Sequence, residues 1–467
     1  MAPGSSRATL RCVSPVDGRV YVERPLASES EIAASLDRAR HAHTRWRTLP
    51  ARERAAACSR LVDAFVARGA EIASEITWQM GRPARHSPNE VRGFEERARH
   101  MIGIAEEALA RIDCGPKPGF HRFIRREPLG VVLSIAPWNY PYLTAVNSVV
   151  PALLAGNAVI VRHSAQTPLC SERMAEAGLS AGLDPGLLQA LHASHADTLR
   201  LVGSPGVDFV AFTGSVGVGR AVQRAASERF IGVGLELGGK DPAYVRPDAD
   251  LEHAVANLVD GAFYNAGQSC CGIERIYVHA DVHDAFVESY AGQVERYRLG
   301  NPTDPEVDLG PVVRAEAAAL VREQTAEALA RGAMALVDPR AFPADAPGTP
   351  YLAPQVLVDV DHGMRVMTEE SFGPVVGIQR VRGDDEAVAL MNDSAYGLTA
   401  SVWTRDEGAA LAIGDRVETG TWFMNRCDFL DPALAWTGVK DSGRGCTLSR
   451  VGFEALTRPK SFHLRLA

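Results

Sequence analysis

The 467-residue sequence has no apolar run long enough to cross a bilayer: stretches such as 130–136 fall far short of the ~20 residues that a spanning helix needs. It carries no dense lysine or arginine run. Its 49 basic residues are outnumbered by 57 acidic ones, and the net charge of −8 argues against a general nucleic-acid binder. The eight cysteines, at 12, 58, 114, 170, 270, 271, 427 and 446, form no CxxC pair, and no His/Cys spacing suggests zinc, so no metal site is expected. Scattered through so long a chain, they are not spaced as a disulfide framework. A reducing, cytoplasmic setting is therefore expected, where a special cysteine is more readily a nucleophile than a staple. Residues 1–12 are polar and lack the apolar core, about 7–15 residues long, of a secretory leader. There is no internal repeat and no low-complexity tract.

What is present is a composition suited to a large core. Apolar residues make up 46% and charged residues 23%, enough for about two to four domains. The first 110 residues are expected to be mainly helical. Leu61, Phe65, Ile72, Ile76 and Met80 recur near a 3.6-residue period as one amphipathic helix, stopped at Gly81-Arg82-Pro83. From residue 130 short β-branched runs (130–135, 158–161, 208–212) alternate with helical stretches (143–154, from 171, and after 212). Continuous apolar strands joined by helices predict a parallel sheet covered on both faces, with ligands beyond the strands' carboxyl ends. A second α/β stretch runs from about 238 to 425, with strands at 275–278 and 375–379 and surface loops near 302–305 and 342–350. Two pieces outside both blocks, 121–126 and 461–464, alternate apolar and basic residues like strands whose exposed edges invite pairing with another subunit.

Four segments carry the chemistry. Pro137-Trp138-Asn139-Tyr140-Pro141 follows a buried strand, and Phe212-Thr213-Gly214-Ser215 continues to Gly217 and Gly219. Leu235-Glu236-Leu237-Gly238-Gly239-Lys240 and Asn265-Ala266-Gly267-Gln268-Ser269-Cys270-Cys271 come next; Glu369-Glu370-Ser371-Phe372-Gly373-Pro374 and Asn425 come later. Singly, each has an ordinary reading. A lone cysteine is usually a small buried hydrophobe, Glu before Gly-Gly a cap residue, and Asn before Tyr-Pro a turn residue. Gly214–Gly219 is not the GxGxxG fingerprint. Gly214-Ser215 does open a helix, and phosphates are held by backbone N–H groups at such an N-terminus.

In this order the segments resemble the aldehyde dehydrogenase superfamily. The likeness runs from Ser14-Pro15-Val16-Asp17-Gly18 to Gly438-Val439-Lys440-Asp441-Ser442-Gly443. It implies an α/β fold: a Rossmann-type cofactor domain over 1–109 and 129–237, an α/β catalytic domain over 238–441, and a small β oligomerisation element from 110–128 and 442–467. It also implies a homodimer or homotetramer, a small-molecule aldehyde as the substrate, and NAD or NADP as the cofactor. Cys270 then matches the nucleophile, with Cys271 out of register. Oxidising an aldehyde needs a tetrahedral alkoxide, which a thiolate supplies by attacking the carbonyl; backbone dipoles or the cofactor's positive charge favour that thiolate. The Asn139 amide and the Cys270 N–H are the expected oxyanion donors. Glu236 is the expected base for thioester hydrolysis, its pKa raised by a partly apolar site. Because relatives that pass the acyl group to coenzyme A generally lack that glutamate, a free acid is expected. The alternatives are coenzyme A-dependent acylation, a non-catalytic homologue, which would tolerate loss of Cys270 or Glu236, and a thiol hydrolase, which would want a histidine base near the motifs.

On the cofactor side the resemblance puts Trp138 by the pyrophosphate, Gly214, Ser215, Gly219 and Leu237 along the cofactor, Glu370 on the nicotinamide ribose and Phe372 near the ring. Where the family often has Lys-Pro-Ser-Glu-Gln-Thr-Pro, this chain has Arg162-His163-Ser164-Ala165-Gln166-Thr167-Pro168. Ala165 removes a carboxylate that repels a 2′-phosphate, and Arg162 offers a bidentate fork for one, so dual or NADP-leaning use is expected against plain NAD binding with one hydrogen bond fewer. The substrate wall is expected to hold Tyr140, Thr144, Asn147, Ser269, Cys271, Leu430 and Trp436. Asn147 stands where a large side chain is common. Arg426 either meets an anionic group on the substrate or is solvated and paired locally.

Overall fold

In a computed structural model that describes residues 8–466, two parallel-type sheets share the chain. The first runs, edge to edge, Gly443–Arg444, Gly232–Glu236, Phe209–Thr213, Val131–Ala136, Ala158–His163, Leu188–Ala190. Every pairing in it is parallel except that of Gly443–Arg444. The chain runs outward from Val131–Ala136 in one direction, then returns to the other side at Phe209–Thr213. The two strand ends flanking that reversal make the crevice where ligands of such sheets bind. Pro137-Trp138-Asn139 leaves the first of these strands and Gly214-Ser215 the second.

Val131–Ala136 and Ala158–His163 are buried at every position, as strands covered on both faces must be. The second sheet runs Met334–Ala335, Gln355–Val358, Val375–Val381, Ile273–His279, Asp241–Val245, Thr399–Trp403, Thr421–Met424, parallel but for its first strand. Each sheet has its own apolar core. The expected strands are all present, most of them longer than expected: 275–278 lies within Ile273–His279, 121–126 within Phe120–Pro128 and 461–464 within Thr457–Arg465.

Two expectations for the N-terminal part are corrected. The single helix through Leu61 and Met80 is two, Ala51–Val66 and Gly69–Met80, because the Phe65-to-Ile72 step lets the chain turn at Ala67-Arg68 while both faces stay buried. The helical region is also preceded by an antiparallel hairpin of Thr9–Val13 and Val20–Pro25. Helix Gly69–Met80 ends on Gly81 at φ 85°, a left-handed cap that favours glycine. The two strand-like flanks pair with each other, Phe120–Pro128 against Thr457–Arg465 over their whole length, with Ile112–Asp113 on the far edge. The reading of the leader falls partly on residues 1–7, outside the described residues. Among the described residues no helix is long and apolar enough to cross a membrane, and no group of three or more His, Cys, Asp or Glu is placed to hold a metal ion.

Candidate active site

Cys270 sits in the turn between the helix Leu251–Phe263 and the strand Ile273–His279, and it is half-buried. The approach to it is strained. Asn265 and Ala266 have φ of 55° and 54°, and Gly267 follows at 72°. Two non-glycine residues in the left-handed region persist only where the surroundings over-determine them. Here they do. Asn265 Oδ1 accepts from Arg82 Nε at 3.2 Å, and its Nδ2 donates to the carbonyls of Asn139 and Gln268 at 3.3 and 3.2 Å. Gln268 Oε1 accepts from the Val313 N–H at 2.7 Å. A Cβ on Gly267 would lie 2.3 Å from the Gly373 carbonyl oxygen.

The buried Asn139 amide donates to the Gln268 carbonyl at 3.1 Å, tying the end of strand Val131–Ala136 to the Cys270 turn. Its second N–H and the Cys270 backbone N–H have no protein acceptor among the described residues, so both are free to donate. Arg82 was expected only as part of a helix stop, yet it organises this corner. It is fully buried, donates to Glu90, Asn265 and the Asn139 carbonyl, and lies 4.6 Å from the Tyr140 ring centre. Glu90 in turn accepts the N–H groups of Tyr142 and Leu143 at 2.9 and 3.0 Å, satisfying first-turn donors of helix Pro141–Ala155.

Glu236 closes strand Gly232–Glu236. Its Oε1 accepts from the Thr447 hydroxyl at 2.6 Å and its Oε2 from Thr213 at 3.1 Å. Burial raises its pKa; the bonds from Thr447 and Thr213 and the charge of Arg97 oppose that rise. Glu236 lines a cavity of about 280 Å³ together with Thr144, Asn147, Trp436 and Thr447. Small residues make that space. Ser134, Ala136, Ala211, Thr213 and Gly234 alternate onto one face of the first sheet.

The residues expected along the cofactor gather at the crevice. The extended Ser215 precedes helix Val216–Ala226 and makes no side-chain cap, so the helix's first N–H groups stay available to phosphate. A Cβ on Gly219 would stand 2.5 Å from Leu237 Cδ2, which is how this helix seats against the end of strand Gly232–Glu236. Trp138 and Phe372 meet edge-to-face with centres 5.6 Å apart. Glu370 Oε1 accepts from the Gly239 N–H at 3.1 Å, and burial with repulsion from Glu274 lifts its pKa to about 7. The same carboxylate fills the space a Gly238 side chain would need. Aromatic faces, an open helix N-terminus and a carboxyl able to accept from hydroxyls form a donor and acceptor set that fits a dinucleotide.

The loop bearing Glu370 and Phe372 hangs on a buried ion pair. Lys240 binds Glu274 and the Ser371 hydroxyl, while Glu274 accepts the N–H groups of Ser371 and Phe372 at 2.8 and 2.9 Å. Lys240→Met would strand a buried carboxylate. The expected loss is about 3–5 kcal/mol of stability, read as a lower denaturant midpoint.

Several expected roles are corrected. The Arg162 fork is not directed at a phosphate: Nε and Nη2 both turn inward to the Ala193 carbonyl, at 3.4 and 3.2 Å, because the side chain runs out of a buried strand. Ala165 stays half-buried. Ser269 and Cys271 are buried anchors, not open wall. Both donate to Asp428 Oδ1, at 2.8 and 3.0 Å. Arg426 is exposed and stacks 3.4 Å from the centre of the Phe429 ring, a local pairing. Asn425 holds the Thr404 backbone from both sides. Thr144 and Asn147 line the cavity, as does the buried Trp436, whose N–H bonds the Thr447 carbonyl; Leu430 is half-buried and Tyr140 sits against Arg82. Glu90, Arg97, Asp428 and Thr447, and the organising role of Arg82, escaped the sequence reading, since none of them belongs to the four segments that carry the chemistry.

A model of the aldehyde dehydrogenase family matches residues 2–462. The succinate-semialdehyde dehydrogenase [NADP(+)] of Mycolicibacterium paratuberculosis is 33% identical over 452 residues, covering 96% of this chain and 95% of the relative. A vanillin dehydrogenase of Pseudomonas fluorescens is 34% identical over 461 residues, 98% of this chain and 94% of the relative. The NADP-dependent glyceraldehyde-3-phosphate dehydrogenase of Bacillus halodurans, solved with NADP, superposes with a TM-score of 0.92 at 32% identity over 98% of this chain and 96% of its own.

Proposed function

Because this chain belongs to the aldehyde dehydrogenase family, we propose that Cys270 is the nucleophile and Glu236 the hydrolytic base of its reaction. The enzyme is an oxidoreductase that oxidises aldehydes with NAD or NADP. The observation that carries the residue roles is the Asn139-to-Gln268 bond, which joins the first sheet's crevice to the Cys270 turn and leaves two N–H groups unclaimed at that turn.

Trp138, Gly214, Ser215, Gly219, Leu237, Glu370 and Phe372 would hold the cofactor. Bound there, it would supply a hydride acceptor. The chain's own residues do the rest. The Cys270 thiolate adds to the aldehyde carbon, and Asn139 and the Cys270 N–H donate to the resulting oxyanion. After oxidation the acyl group stays on Sγ as a thioester. Glu236 takes a proton from water, which attacks that thioester; the thiolate leaves and the acid is released. Retention of Glu236 favours free acid over transfer to coenzyme A. The test is reduced cofactor formed on addition of aldehyde, with free acid appearing without coenzyme A. Acid formed only with coenzyme A would overturn the hydrolytic half.

We also infer dual or NADP-leaning cofactor use, resting on Ala165 alone now that Arg162 is turned inward. Ala165→Glu should shift the NADP-to-NAD ratio of kcat/KM toward NAD by about ten- to 100-fold, through like-charge repulsion. An unchanged ratio would place the discrimination elsewhere. Residues 1–109 with 129–237 form the cofactor domain in this reading, and 238–441 the catalytic domain. The edge of the sheet formed by 110–128 and 442–467 would join copies into a homodimer or homotetramer in the cytoplasm.

A further inference from the structure

The cavity beside Glu236 is walled on one side by helix Pro141–Ala155, and helix Pro88–Ala108 packs against that wall. The packing is close because Gly93 offers no side chain: a Cβ there would fall 2.3 Å from Leu143 Cδ2. One turn on, Arg97 reaches across. It is 8% exposed, yet no carboxylate lies within 4 Å of any of its nitrogens among the described residues. Its hydrogen bonds both come from Nη1, to the Leu143 carbonyl and to Asn147 Oδ1 at 3.3 Å. Nε and Nη2, the side-on edge of the guanidinium, bond nothing. Glu90, an acid that acts on Arg97 electrostatically, is already held by Arg82 and two backbone N–H groups. Asn147, 2% exposed and lining the cavity, has its Nδ2 buried without a partner.

A buried guanidinium with an unused bidentate edge, next to an unpaired amide donor, is a donor set waiting for an anion. Nε–H and Nη2–H lie parallel, the geometry that matches the two oxygens of a carboxylate. Arg97 is also within electrostatic reach of Cys270, Cys271 and Glu236. Asn147 lines the cavity beside Glu236 and Arg97 stands behind it, bonded to its Oδ1, so a substrate group that enters this cavity meets the Asn147 amide with the guanidinium next to it. Arg426, the other candidate for this task, is exposed and stacked on Phe429.

We propose that Arg97 and Asn147 recognise a carboxylate on the far end of the substrate, so that the enzyme's substrate class is the short aldehyde acids. This rests on the aldehyde-oxidising reading above and adds the specificity determinant. Arg97 binds the carboxylate through its free edge, Asn147 Nδ2 donates to the same group, and Gly93 sets the helix approach that lets Arg97 reach.

The test compares kcat/KM for a four-carbon aldehyde acid and for its methyl ester, in the unmodified enzyme, Arg97→Met, Arg97→Lys and Asn147→Leu. The unmodified enzyme should prefer the acid by about 100-fold, Arg97→Met should erase most of that ratio, and Arg97→Lys should restore part of it. A purely structural Arg97 would lower both substrates together and leave the ratio alone, which overturns the proposal. So does an unmodified enzyme that takes ester and acid equally. Calorimetry of the unmodified enzyme with a four-carbon dicarboxylate and its diamide reads recognition without turnover or substitution. Binding of the dicarboxylate alone supports the proposal, and binding of neither or of both equally overturns it. Should no aldehyde of either charge be oxidised, the aldehyde-oxidising reading fails while the calorimetric result still decides the recognition.

Discussion

Cys270→Ala should leave no detectable aldehyde-dependent reduction of NAD or NADP, a loss of at least about 10⁴-fold in kcat. The size of the effect follows from how poorly the neighbouring thiols could substitute, including Cys446, which lines the cavity beside Glu236 with its pKa raised by burial. Cys271 is next in sequence, but its thiol donates to Asp428 Oδ1 at 3.0 Å, and its pKa is driven well up by the neighbouring Cys270 and by burial. A thiol held protonated and bonded to a carboxylate is a poor nucleophile. Cys427 is likewise pushed up by burial and donates to the Asn257 carbonyl. The fold should tolerate the change, because Cys270 is half-buried and the strained turn is held by Asn265, Gln268 and Arg82. Unchanged melting with abolished turnover is the expected pair of results. Turnover that survives would remove Cys270 from the chemistry.

Glu236→Gln should separate the two halves of the reaction. The first equivalent of reduced cofactor should form in a burst, and steady turnover should fall by about 10²–10⁴-fold as the thioester accumulates. The amide keeps the size and can still accept from one of the Thr447 and Thr213 hydroxyls while donating to the other, but it cannot take a proton from water. The pH dependence gives a second reading. The base works deprotonated, and burial raises the Glu236 pKa, so hydrolysis should rise with pH through a limb above the ordinary carboxylate range. Glu236→Gln should lose that limb. Thr447→Val, which removes a hydrogen bond opposing the rise, should move the limb to higher pH still. A full burst with no fall in steady rate would show that water is activated by another group. Loss of the burst itself would place Glu236 in the first half.

The strands and the proposed catalytic residues were legible in the linear sequence for different reasons. A strand such as 130–135 announces itself because burial on both faces demands consecutive apolar residues. Cys270, Glu236 and Asn139 stand out only through the order of the segments that carry them, and close backbone approaches explain the glycines of two of those segments: Gly238 must be bare for the Glu370 carboxylate, and Gly267 for the Gly373 carbonyl. The break at Ala67-Arg68 was missed because the apolar period runs on in the residues while the axis turns. The Thr9–Val13 hairpin was missed because short, half-exposed strands carry little pattern.

Charged side chains with ordinary surroundings were the least legible. Arg162, Arg426 and Arg97 are equivalent as letters, and sequence offered a phosphate as one reading of the first, an anion or a local partner for the second, and overlooked the third. In the folded chain Arg162 turns to the Ala193 carbonyl, Arg426 lies exposed on Phe429, and Arg97 is buried beside Asn147 with its free edge unpaired. The sequence by itself determined the family and the reaction class, because the segments that carry them keep their order and spacing along the chain. Only the tertiary structure decided which cation remains free to meet a ligand. A guanidinium's role is set by its burial and by which acceptors other elements bring within reach, and helices 88–108 and 141–155 meet only when the chain is folded.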